Sequence, residues 1–208
     1  AYRAGAKKVY LEEEPKVAAV GAGLDIGKAC GSMVLDIGGG TSDIAVLALG
    51  DIVCSTSLKV AGNRFTQLII DYLRKERKLA IGEQMAEEVK IRIGSALPMD
   101  EPLTMEVSGL AMESGLPSSI EVNSNEIELA LRASVDEIVR AVRTVMEITP
   151  PELAADIVQR GLMMTGGGAL LKNFDARLRN ELQVPVHVAE NALHCVVDGC
   201  SIMLQQLR

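Results

Sequence analysis

The chain has 208 residues, 48% of them hydrophobic and 24% charged, with a net charge of −7. That supplies a sizeable core for one large or two small domains and excludes a disordered chain. With two Phe, three Tyr, no Trp and no long basic run, it lacks the stacking platforms and cationic surface of a nucleic-acid binder, so no nucleic-acid partner is expected.

Cys30, Cys54, Cys195 and Cys200 form no CxxC pair, and read as buried or half-buried thiols in a reducing compartment. No signal peptide or membrane-length apolar run is present. The chain opens at Ala1 inside what reads as a helix end, closed at Gly5. The expectation is a C-terminal piece of a longer protein.

Val9–Leu11 suits a short strand. Glu12, Glu13 and Glu14 precede Pro15, which fits the first turn of a small-residue helix through Leu24. Acids there complement the helix dipole, and a carboxylate so placed is expected to stay ionised. Asp25–Ser32 is a polar connector.

Met33–Ile37 and Asp43–Leu49 are apolar runs joined by Gly38-Gly39-Gly40-Thr41-Ser42, and Ile52–Val60 follows after a Gly50-Asp51 turn with a period of two. The three runs predict an antiparallel meander. Its first loop has the composition of a phosphate cradle: glycines let backbone N–H groups converge on an anion and take up positive φ, Thr41 adds a hydroxyl, and Asp36 at the strand end can hold a cation. The glycines join strand to strand. A Walker loop or dinucleotide fingerprint needs a helix after them and is excluded.

Arg64–Arg77 reads as an amphipathic helix with Phe65, Leu68, Ile69, Tyr72 and Leu73 inward, and Gln84–Ser95 as a second, on which Glu87 and Lys90 are neighbours. Leu103–Ser108 and Ser119–Val122 are short strands. Asn123 and Glu126 have capping-box spacing and open the longest helix, ended by Pro150-Pro151. Glu152–Arg160 is a helix, and Leu162–Thr165 a strand running into Gly166-Gly167-Gly168-Ala169. A helix through Gln183 turns Leu170, Leu171, Phe174, Leu178 and Leu182 inward. Val184–Val188 is an edge strand, because Pro185 donates no ladder bond, and Ala192–Leu207 is the last helix. His187 and His194 lack a nucleophile and carboxylate at useful spacing and read as structural.

Two glycine triplets framing a helical insert are more specific than either alone. Together with Glu13-Glu14-Pro15, Gly21-Ala22-Gly23, Asp36-Ile37-Gly38-Gly39-Gly40-Thr41, Val60-Ala61-Gly62, Ala86-Glu87-Glu88-Val89-Lys90, Ile93-Gly94-Ser95-Ala96 and Val186-His187-Val188-Ala189-Glu190, the sequence resembles the MreB family of bacterial actin-like, rod-shape-determining proteins. The glycine loops are shared with sister ATPases of the superfamily and with adaptors of the same fold. The other runs favour MreB. Asn63 stands where the family has an acid, and Ser42 where it has Thr.

The resemblance implies an α/β, actin-like ATPase (RNase H-like) fold in its C-terminal part. Residues 1–32 would be a remnant of domain I, 33–62 and 149–190 subdomain IIA, 63–148 the helical insert IIB, and 191–208 a C-terminal helix returning to domain I. It implies ATP and Mg²⁺ as cofactors. Gly38, Gly39, Gly40 and Thr41 would hold the phosphates, Asp36 the Mg²⁺ through water, and Glu14 the attacking water. Gly62, Glu87 and Lys90 would border ribose and adenine, and Gly166, Gly167, Gly168 and Ala169 the far side of the nucleoside. The implied partners are further copies in a filament, cell-wall elongation membrane proteins and the inner face of the cytoplasmic membrane, which places the protein in the cytoplasm, peripheral at that membrane. The family's first phosphate loop and membrane-inserting segments precede Ala1, so the chain alone is expected neither to hydrolyse ATP usefully nor to form filaments.

Overall fold

The computed structural model describes residues 1–206. At its centre lies β1 (Ser32–Ile37), buried at every residue. It pairs antiparallel with β2 (Ser42–Ala48) and parallel with β7 (Leu162–Thr165). A strand covered on both faces accepts an unbroken apolar run. The sheet is completed by β3 (Asp51–Leu58) beside β2 and β8 (Val186–Val188) beside β7, giving the order β3-β2-β1-β7-β8. β3 alternates exposed and partly covered residues, as an outer strand facing a core on one side does. β8 is the other edge, immediately after Pro185, as its sequence predicts.

Met33, Leu35 and Ile37 point into the main core, while Val34 joins Ala45, Leu47, Ala19 and Ile26 on the opposite face. That second face is covered by α1 (Glu14–Gly21), which crosses α7 (Cys195–Gln206) at very short range. A Cβ on Gly21 would lie 1.7 Å from the Cys195 carbonyl oxygen, and one on Gly199 2.0 Å from that of Val17. Only glycine on both helices permits the crossing.

Between β3 and β7 come α2 (Gly62–Glu76), β4 (Leu79–Ala80), α3 (Glu83–Ile93), β5 (Thr104–Ala111), β6 (Pro117–Asn123), α4 (Ser124–Ile148) and α5 (Pro151–Arg160). β4, β5 and β6 form a second, three-stranded sheet. The capping box at α4 is complete: Asn123 Oδ1 accepts the N–H groups of Asn125 and Glu126, and Glu126 Oε2 accepts that of Asn123. Ile127, Leu131, Val135, Ile138, Val142 and Val145 line its buried stripe. α6 (Phe174–Leu182) links β7 to β8.

Four expectations need correction. Val9–Leu11 forms no strand: among the described residues no strand pairs with it. The hairpin strands run beyond the expected Leu103–Ser108 and Ser119–Val122, to Ala111 and from Pro117, and β4, too short to signal in sequence, pairs with the end of β5. The chain after β7 forms a 3-10 turn, Gly167–Leu170, and only then a helix, so Leu170 turns outward. Cys200 is exposed, unlike the other three thiols. Leu207, the expected end of the last helix, lies outside the described residues.

Candidate functional site

The β1–β2 hairpin is closed by the Gly38 N–H donating to the Thr41 carbonyl at 2.9 Å. Its carbonyls face the start of α2: Gly38 and Gly39 accept the N–H groups of Gly62 (3.1 Å) and Asn63 (2.8 Å). Ala61 at the N-cap brings no side-chain acceptor, so the glycine hairpin itself caps the helix. None of the three glycines adopts positive φ, contrary to the sequence expectation. Nor does packing demand them. A Cβ on Gly40 would meet nothing within 4 Å, and one on Gly38 would meet only the Thr41 carbonyl, at 3.6 Å. Among the described residues the Gly39 and Gly40 N–H groups have no acceptor. Bare donors over open space suit an anion with several oxygens.

The second triplet differs. Gly166 has φ 80° and its Cβ would lie 2.3 Å from the Ile37 carbonyl, while a Cβ on Gly168 would lie 2.2 Å from Ile37 Cγ2. These glycines let the turn after β7 press onto the end of β1.

Hairpin and turn face each other across a cleft of about 450 Å³. Gly38 and Gly39 line one side, Gly167 and Gly168 another, and Gly62, Glu87 and Lys90 the α2–α3 side. Gly166 and the buried Ala169 flank Gly167 and Gly168 in sequence and are not among the lining residues. Ile91, Leu170 and Leu193 also line the cleft, and are 65%, 54% and 65% exposed. Large apolar side chains left open around one cleft suit a flat, partly apolar ligand. Periodicity misassigned Leu170 to the core.

The polar side is organised by Thr66, which sequence did not single out. Lys90 Nζ donates to the Gly62 carbonyl (3.0 Å), Thr66 Oγ1 (3.0 Å) and Glu87 Oε2 (2.7 Å). Thr66 Oγ1 lies 2.7 Å from Glu87 Oε2 and 3.0 Å from the Gly62 carbonyl. Burial raises the Glu87 pKa, but the hydrogen bonds from Lys90 and Thr66 and the Lys90 charge outweigh it, and the carboxyl is held below its ordinary value.

A second group lies at the outer end of β1. Asp36 is 2% exposed and accepts a 2.6 Å hydrogen bond from Thr165 Oγ1. Asp43 is its direct cross-strand partner. Burial, opposed by the Thr165 bond and assisted by the Asp43 charge, pushes the Asp36 carboxyl up. Glu14, the first residue of α1, is also pushed up, first by desolvation and then by Asp36 and Asp43. The two aspartates and partial burial thus act against the helix dipole at this position. Mutually repelling carboxylate oxygens fit a hard divalent cation. Among the described residues no three His, Cys, Asp or Glu side chains are grouped so as to hold a metal directly. Thr41 is half-buried at the hairpin's end.

An antiparallel meander continued by parallel strands, with two glycine turns facing across one cleft, defines an actin-like fold. The MreB/Mbl protein family profile matches residues 1–208, and the chain belongs to that family. It is 53% identical to the cell shape-determining protein Mbl of Bacillus subtilis over 207 residues, which is 100% of this chain and 62% of Mbl. It is 48% identical to the cell shape-determining protein MreB of Escherichia coli over 204 residues, 98% of this chain and 59% of MreB. The chain thus spans about three fifths of these relatives. Among solved structures, MreB5 of Spiroplasma citri bound to AMPPNP superposes with a TM-score of 0.94 at 41% identity, covering 99% of this chain and 62% of that one. Its ADP-bound form gives 0.95.

Proposed function

We propose that the chain is the C-terminal part of an ATP-binding, filament-forming bacterial actin that organises cell-wall synthesis and maintains rod shape. The observation that carries this reading is one cleft with the free N–H of Gly39, on a bare glycine hairpin, at one end and an apolar wall with a fixed carboxylate at the other. That is the polarity of a nucleoside triphosphate. The AMPPNP and ADP held by MreB5 of Spiroplasma citri support the same ligand class. On this reading residues 1–32 and 191–208 belong to domain I, 33–62 and 149–190 to IIA, and 63–148 to IIB.

Gly38, Gly39, Gly40 and Thr41 then hold the β- and γ-phosphates through backbone donors and one hydroxyl. Asp36 would hold Mg²⁺ through water, and the ion, when bound, would neutralise phosphate charge. Gly62, Glu87 and Lys90 border ribose and adenine, and Gly166 to Ala169 back the other side. Glu14 orients the attacking water and accepts its proton. A carboxylate with a raised pKa is the stronger base for that task. Phosphoryl transfer needs positioning and charge stabilisation more than covalent help, so these groups suffice on the chain's side of the cleft.

The protein would act in the cytoplasm at the inner face of the cytoplasmic membrane, with further copies of itself and cell-wall elongation membrane proteins as partners. Sedimentation of the full-length protein with vesicles of anionic lipid tests this. Co-pelleting of filaments that needs ATP and Mg²⁺ supports the proposal, and a protein that stays monomeric and unbound to nucleotide overturns it.

A further inference from the structure

Lys90 has three N–H donors and all three are taken by the protein: Gly62 carbonyl, Thr66 Oγ1 and Glu87 Oε2. Its side chain is 14% exposed, against 46% for Glu87. Lys90 therefore lines the cleft without a donor to spare. Thr66 is 4% exposed. Its oxygen accepts from Lys90, so its single proton has two candidate acceptors, and the nearer is the charged Glu87 Oε2 at 2.7 Å. Charge-assisted O–H···O⁻ bonds are short and strong, which favours the carboxylate over the Gly62 carbonyl. Oε2 thus receives two hydrogen bonds. Among the described residues Oε1 receives none, and Glu87 faces the cleft.

We infer that Thr66 is a positioning residue that makes the cleft selective for ligands carrying a sugar hydroxyl. It acts through Glu87: with Lys90 it fixes Oε2, so that Oε1 is presented to the cleft as a pre-aimed acceptor. A ligand hydroxyl can donate to it, whereas a deoxy sugar forgoes that charge-assisted bond. Thr66 stands on the helix whose first two N–H groups are held by Gly38 and Gly39. The sugar reader and the hairpin are therefore parts of one rigid unit. The inference rests on the nucleotide reading above.

The test is equilibrium binding of ATP, 2′-deoxy-ATP and 3′-deoxy-ATP to the full-length protein and to Thr66→Val and Thr66→Ser, with thermal melts to confirm folding. Wild type should bind ATP about tenfold more tightly than at least one deoxy analogue. Thr66→Val should bring that ratio close to one, and Thr66→Ser should restore it. A ratio unchanged in Thr66→Val, or wild type blind to both deoxy sugars, overturns the inference alone. Wild type that binds none of the three overturns the nucleotide reading itself. Reduced melting temperature with an intact ratio would mark Thr66 as merely structural and also overturns the inference.

Discussion

Thr165 Oγ1 donates a 2.6 Å hydrogen bond to Asp36 Oδ1, joining the ends of two parallel neighbours, β1 and β7. One neutral donor is little compensation for a carboxylate 2% exposed and directly opposite Asp43. Its ionised form is therefore held at a cost in stability.

Replacing Asp36 with Asn should therefore stabilise the protein while impairing its chemistry. Asp36 and Glu14 both titrate higher in the folded state than the ordinary 3.8 and 4.5. The folded state then holds the extra protons, and the stability they confer is present below pH about 4 and lost as pH rises through the folded values. Asp36→Asn should melt like wild type near pH 4, but be more stable by about 1 kcal/mol at pH 7. Denaturation of the full-length variant at both values checks this. A loss of stability at pH 7 would contradict it.

The two glycine triplets should respond oppositely to alanine. Gly168→Ala drives a methyl into Ile37 Cγ2 and should lower stability by about 2 kcal/mol. Gly40→Ala has open space and ordinary φ, so stability should be unchanged or up by as much as about 1 kcal/mol, with ATP affinity reduced at least about tenfold by the methyl in the cradle. Thermal melts and calorimetric titration separate the two effects.

Glu14→Ala in the full-length protein should lower the hydrolysis rate about a hundredfold or more and leave ATP affinity within about threefold. Equal losses in both would remove Glu14 from the water-orienting role.

Asn123→Ala breaks both directions of the capping box at α4 and should cost about 1 kcal/mol in a urea titration. Nucleotide affinity should not change, since the cap lies outside the cleft lining.

The features legible in sequence were those with local causes. The strand–glycine–strand run, the α4 cap and the proline at the β8 edge each carry their signal within a few residues. Asp43 was within reach: a hairpin pairing Ile37 with Ser42 must set Asp36 opposite Asp43. Thr66 was not, because its role depends on α2 and α3 meeting across 21 residues of chain. Leu170 was misread because a 3-10 turn breaks the helical period at that residue. The different reasons for glycine in the two triplets appear only once Ile37 is seen beneath the second.

Hydrogen exchange of the full-length protein with and without AMPPNP tests the nucleotide cleft most directly, since the proposed ligand contacts are backbone amides. Slowed exchange should appear at Gly38–Ser42, Gly62–Thr66, the Glu87–Ile91 turn and Gly166–Leu171, with none in β5 or β6. Protection absent from Gly39 and Gly40, or confined to other surfaces, would contradict the account.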